Sequence, residues 1–310
     1  MAHYNAELAE KVKKAVEDKK AKKWVDNFAK KYFSGSGIFI IIILASIFLM
    51  LFATSLPAFS EINIFEFLFS TNWEPSDLAS EQGHYGILAM IASTLLVTFG
   101  ALLIAVPIGL AIAVYLSEIA PTWIREIFKP VIEILSAIPS VVIGFIGLVL
   151  LSPWIAGLTG ASNGINALNG AICLALMALP TIVSMSEDAV KNVPKSFREA
   201  SYALGTTRWE TIYRVVVPAA KSGIFAAIML GMGRAIGETM TVLMVAGNAK
   251  AFPWSFLSSA KPMTSTIAVE MGDLVVGSVH YHALFAIALV LFIITFSINV
   301  IADINIHKSY

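Results

Sequence analysis

The decapeptide Gly231–Met240, "GMGRAIGETM", puts a guanidinium and a carboxylate into a strongly apolar stretch, with Arg234 and Glu238 four residues apart. On an uninterrupted helix that spacing lays both side chains on one face, within reach of each other. A charge near the middle of a bilayer costs roughly 2.5 to 3.5 kcal/mol on insertion scales, so it is kept there for a partner or a task. The guanidinium is a planar fork of donors that suits a tetrahedral oxyanion. Gly231, Gly233 and Gly237 leave room for a ligand to approach, and Glu238 neutralises the arginine when the site is empty. The competing reading is a structural ion pair with no role in binding.

These residues lie in a chain made for a membrane. Of its 310 residues 57% are hydrophobic and 14% charged, and the mean hydropathy is +0.79, outside the range of water-soluble domains. Hydropathy predicts an all-α, polytopic protein with six spans, at 38–57, 87–116, 130–151, 169–186, 222–247 and 283–303. Pro107 and Gly109 predict a kink or tilt in the second span. The single cysteine, Cys173, excludes an intrachain disulfide.

Eighteen of the 21 basic residues fall in 1–37, 117–129, 187–221 and at Lys308, and the alternate connections carry only Lys250 and Lys261. This asymmetry predicts both termini on the cytoplasmic side of a plasma membrane. The organisation that follows is a basic cytoplasmic segment 1–37, a first helix 38–57, an external acidic loop 58–86, a transmembrane domain 87–303 with a cytoplasmic loop 187–221, and a tail 304–310. The long basic stretch and the missing small-residue cleavage site argue against a cleaved signal peptide. The external loop carries Glu61, Glu66, Glu74, Asp77 and Glu81 and is read as solvated. The uncharged stretch 152–168 reads as a tight or re-entrant connection.

In the loop 187–221, Pro194 can open a short helix and Gly205 close it. Thr207 and Glu210 then form a capping-box pattern for a second helix, which Pro218 stops or kinks before the fifth span. Glu133, Ser136, Pro139 and Ser140 are further polar or helix-breaking positions beside a possible path. Glu270 and Asp273 precede the last span in a segment that reads as short and re-entrant. His280 and His282 follow no zinc spacing and are read as interfacial, without chemistry. No nucleophile and base pair, HExxH or G-x-x-x-x-G-K-[ST] is present, which argues against an intramembrane enzyme and against an ATPase in this chain.

"EASYALG" followed by "VVVP" resembles the EAA loop of ABC-importer permeases, with Glu199, Ala200, Gly205 and Pro218 on the pattern and Ser201 in place of its second alanine. "GRAIGETM", "IEILSAIPSVVIGF" and the stretch 83–118 are similar to the membrane subunits of high-affinity phosphate ABC importers, more to the PstC type than to its paralogue PstA. The resemblance implies a type I, MetI-like permease with no catalysis or cofactor of its own, because ATP and Mg are bound by a partner. The implied partners are a homologous PstA-like permease, a PstB-like ATPase homodimer docked on the 187–221 loop, an external PstS-like phosphate-binding protein, and the bilayer. Arg234, Glu238, Gly233 and Gly237 would line the path, and Glu199, Ala200, Ser201, Gly205 and Pro218 would couple to the ATPase. A permease for sulfate, molybdate or phosphonate, and a proton-coupled secondary anion transporter, remain the alternatives.

Overall fold

The computed structural model describes residues 2–75 and 83–307, with the side chains of 2–26 and 305–307 outside the description. Asp77, Glu81 and Lys308 therefore lie outside the described residues. The chain divides into two units, one ending at Ala53 and one beginning at Thr54. The first is occupied by α1 (Ala2–Ser55), whose apolar half exposes Phe39, Ile40, Ile41 and Ile42. A run of such side chains facing outward is what a lipid-facing helix requires.

The second unit opens with α2 (Ala58–Glu61), α3 (Ile64–Phe69) and an antiparallel pair β1 (Trp73–Glu74) and β2 (His84–Tyr85). This segment is packed, in contrast to the solvated loop expected: Phe67, Trp73, Tyr85 and Ile87 are buried with Met263, Leu284 and Ile287. Then come α4 (Leu88–Val114), which ends in a turn of π-helix at Tyr115–Ile119, and α5 (Thr122–Ala137). The chain continues with α6 (Ser140–Ile146), a π-helical turn (Gly147–Leu151) and α7 (Ser152–Thr159), which together form one span, and with α8 (Ala167–Lys191). Next are α9 (Lys195–Ala203), and then α10 (Arg208–Thr211) joined through a π-helical turn (Ile212–Val216) to α11 (Val217–Ala219). The last elements are α12 (Lys221–Gly237), α13 (Met240–Val245), α14 (Met263–Glu270) and α15 (Val279–His307).

Among the described residues five helices are long and apolar enough to cross a membrane, and α10–α11 with α12, bent by 68°, make up to six. Three expectations need correction. The third span is Ser140–Thr159, because Pro139, which cannot donate a hydrogen bond, ends α5 and leaves Ile138 extended at φ −64°, ψ 127°. Residues 152–159 consequently belong to that span, and the connection shrinks to 160–166, between Gly160 at φ +70° and the Asn166 cap of α8. The fifth span is broken: α12 stops at Gly237, with Glu238 extended at ψ 129°, before α13 begins. By contrast, α4 runs on as helix past Pro107 and Gly109.

The centre of the molecule is the pair α4 and α8. Ser93, Val97, Ala101, Ala105, Gly109 and Ala113 recur every four residues along α4 and are all buried. Small side chains on one stripe allow the close approach that dispersion forces need where lipid offers no hydrophobic drive. A Cβ on Gly109 would lie 2.9 Å from Ile182, and one on Gly100 would lie 2.9 Å from Ala171. The same device seats the broken spans, since a Cβ on Gly147 would come within 2.5 Å of Cys173 Sγ and 2.8 Å of Val245. Gly147→Val is therefore expected to cost about 1–3 kcal/mol by overpacking and to lower the unfolding temperature of the detergent-solubilised protein. Gly157→Ala, at a position with nothing within 4 Å, leaves it unchanged or slightly raised.

Candidate functional site

Two chain breaks meet in this fold. The ends of α5 and α6 flank Pro139, the ends of α12 and α13 flank Glu238, and α6 packs against α13. Thr241 Oγ1 donates to Ser140 O at 3.0 Å, tying the start of α13 to the start of α6. Backbone groups released by a helix break at membrane depth must find protein partners, and the arginine and the glutamate supply some of them.

Glu238 does not face Arg234 as an i, i+4 pair, because α12 ends one residue before it. Its carboxylate instead accepts the Thr241 N–H at 3.1 Å, capping α13, while its carbonyl accepts from Thr264 Oγ1 at 3.0 Å. Arg234 donates to Thr181 Oγ1 and to Ser136 O, both at 3.4 Å. The cation thus sits at the carboxyl ends of both α12 and α5, where helix dipoles favour it. Its side chain is exposed, and among the described residues no carboxylate pairs with it.

The glycines around it divide by task. A Cβ on Gly231 would meet Ile182 at 2.6 Å, so this glycine serves the packing of α12 on α8. Gly233 and Gly237 have nothing within 4 Å and open the surface beside the guanidinium. Behind Glu238 a cleft of about 10 Å³ is lined by Thr94, Thr98 and Thr264. That is the volume of a single water, far too small for an oxyanion. Ser136 and Glu133 are exposed along the adjoining end of α5.

The loop before α12 folds as its spacing predicts. Pro194 starts α9, Gly205 takes φ +80°, and Thr207 with Glu210 closes a capping box. The Thr207 N–H and hydroxyl hold the Glu210 carboxyl below its ordinary range. The sharp bend follows at Ala220, just past Pro218. Glu199, Ala200, Gly205 and Pro218 are exposed and Ser201 is buried. The serine has a use that alanine lacks: its hydroxyl lies 2.7 Å from Thr206 Oγ1 and 3.0 Å from Thr211 Oγ1, locking α9 to α10. Beside it opens a groove of about 520 Å³ lined by Phe197, Ala200, Leu204 and Val215, with Leu204 85% exposed.

One cluster was not foreseen. Glu270 accepts the Trp73 indole N–H at 2.9 Å, lies 2.8 Å from His280 Nε2, and pairs with Lys261. All four residues are largely buried, and His280 is enclosed as a partner of Glu270. His282 Nδ1 lies 2.6 Å from Thr54 O. The isolated Lys261 with a glutamate nine residues on was a visible signal; Trp73, 197 residues away, was not. Among the described residues no three His, Cys, Asp or Glu side chains converge as a metal site.

Burial pushes Glu270 up, but hydrogen bonds from His280, Lys261 and Trp73 and the charge of Lys261 outweigh it and bring the carboxyl down to about 2 from 4.5. A depressed carboxylate stabilises the fold above its unfolded pKa, and the contribution is lost as pH falls through the folded value. The full shift corresponds to about 3 kcal/mol, and solvent screening brings it to about 2. Glu270→Gln should therefore lower the unfolding temperature at pH 7, and the gap to wild type should close between pH 4.5 and 2.

Residues 105–308 match the family described as binding-protein-dependent transport system inner membrane component. The chain is 46% identical over 231 residues to a probable ABC transporter permease protein, YqgH, of Bacillus subtilis, covering 74% of each chain. It is 37% identical over 277 residues to the phosphate transport system permease protein PstC of Pasteurella multocida, covering 83% of this chain and 84% of that one. Among solved structures it resembles an inward-facing form of the MetNI methionine ABC transporter, with TM-score 0.57 and 21% identity over 72% of this chain and 96% of that one. With spans, chain breaks and loop arranged as described, the chain belongs to the family of binding-protein-dependent transport system inner membrane components.

Proposed function

We propose that this chain is the PstC-type membrane subunit of an ATP-driven importer of inorganic phosphate, with Arg234 as the anion-facing group of its half of the path. The observation that carries the reading is an exposed guanidinium with no carboxylate partner, in a chain 37% identical to two phosphate transport permeases over more than four-fifths of its length. Such a cation holds a divalent oxyanion through several charge-assisted hydrogen bonds. Its loose bonds to Thr181 and Ser136 are readily exchanged for the ligand, and Gly233 and Gly237 keep the approach clear. Glu238 is then a builder of the break: it fixes where α12 stops and α13 starts, and so where Arg234 lies.

A permease of an ABC importer works with an ATPase and a substrate-binding protein. In our reading these are a PstB-like ATPase dimer, which holds ATP and Mg, and a PstS-like protein that delivers phosphate from outside. A PstA-like permease completes the path across the open face of Arg234. The basic residues put both termini and α9–α11 on the cytoplasmic side. Glu199, Ala200, Gly205 and Pro218 then face the ATPase, with Phe197 and Leu204 supplying the apolar anchor.

The test is uptake of radiolabelled phosphate into vesicles carrying the co-expressed complex. Arg234→Gln is expected to retain the co-purifying ATPase and to lose at least tenfold in uptake. Full uptake by that variant removes Arg234 from the path. Competition by sulfate, molybdate or phosphonate stronger than by phosphate replaces the substrate and leaves the permease assignment standing. Leu204→Asp is expected to weaken ATPase retention at least tenfold, as loss of a buried interface anchor does, checked by pull-down from detergent.

A further inference from the structure

Between α9 and the spans lies a charged cluster to which nothing above gives a role. Arg198, on the inner side of α9, reaches Glu118 in the π-helical turn that ends α4. Its Nε lies 3.2 and 3.3 Å from the two carboxylate oxygens, and its Nη2 pairs with Oε1. The same guanidinium donates from Nη1 to Val193 O at 2.7 Å and from Nη2 to Val190 O at 3.0 Å, at the carboxyl end of α8. Arg208, opening α10, donates to the backbone carbonyl of Glu118. The Arg198 and Glu118 side chains are 18% and 10% exposed. Glu118 thus takes bonds from both helices of the loop, and one guanidinium spans α9, α8 and α4.

The topology makes this arrangement informative. The loop is covalently continuous with α8 at one end and with α12 at the other, so any displacement reaches those spans through the backbone. α4 has no such connection, and α9 itself packs chiefly on the segment 208–216 of its own loop. A part-buried, forked, charge-assisted contact is short and directional, so it adds to the α4–α8 packing a direct link between α9 and α4.

We propose that Arg198 and Glu118 are positioning residues that pass the movement of α9 to α4, so that the span carrying the buried stripe moves with the loop. The pair touches no substrate. The proposal rests on the reading above that α9 docks on an ATPase.

The experiment uses the assembled complex in vesicles, with single cysteines at Lys195 in α9 and at Tyr115, where α4 passes into its π-helical turn, both exposed, and the native Cys173 buried. Thiol-labelling rates are compared with and without trapping of the ATPase by ATP and vanadate, beside phosphate uptake per ATP hydrolysed. With Arg198 intact, trapping should change labelling at both positions. In Arg198→Met the α9 response should persist while the α4 response falls at least threefold and uptake per ATP falls about tenfold. Arg198→Lys, which keeps the charge and loses the fork, should be intermediate. Glu118→Gln serves if the methionine variant does not assemble. An α4 response unchanged in these variants overturns the proposal, as does a loss of ATPase and uptake in equal proportion. The labelling readout needs no phosphate, so a wrong substrate leaves it intact; a wild-type complex that retains no ATPase removes the docking reading and this proposal together.

Discussion

A helix interrupted inside a bilayer strands backbone donors and acceptors where no water can take them, and each costs several kcal/mol unless protein supplies a partner. The helical chain of this protein is interrupted at Pro139, just before the third span, and at Glu238, between α12 and α13, and the structure brings the two interruptions together. The Thr241 hydroxyl bonds the Ser140 carbonyl, the Glu238 carboxylate takes the Thr241 N–H, and Arg234 takes the Ser136 carbonyl. Each break is satisfied in part by the other. That mutual dependence fixes the register of the two spans and leaves a cation at their junction.

The rest of the fold holds this junction still. Small residues every fourth position on α4, with Gly170 on α8, let the two helices approach closely, Gly147 seats the π-helical turn of the third span against α8, and Gly144 seats α6 against α13. α4 continues past Pro107, which lies on the exposed side of the helix, away from the packed stripe. Lys261, Glu270, His280 and Trp73 fasten β1 to the connection between α13 and α15. A rigid body with one open charged face suits a subunit that shares its path with another chain.

The loop before α12 is a second tightly bonded piece. The Ser201, Thr206 and Thr211 hydroxyls form a closed set that joins α9 to α10, and the capping box at Thr207 fixes where α10 starts. The loop is therefore held as a unit by these bonds, and tied to the spans by its two backbone connections and the Arg198–Glu118 contact.

The sequence by itself determined what depends on composition and short spacing: an all-α membrane chain, most span positions, the two loop helices with Pro194, Gly205 and the Thr207–Glu210 box, and Arg234 as the residue to explain. These are local matters, since hydropathy over about 20 residues and capping over three or four act along the chain. Tertiary structure decided the rest. Helical spacing paired Arg234 with Glu238, but extended backbone at Glu238 turns its carboxylate to α13, and spacing cannot show where a helix gives way. The bonds from Glu270 to Trp73, from Arg198 to Glu118 and from Thr241 to Ser140 join residues 197, 80 and 101 apart. A contact across such separations is set by which spans pack together, and only the folded chain contains that information.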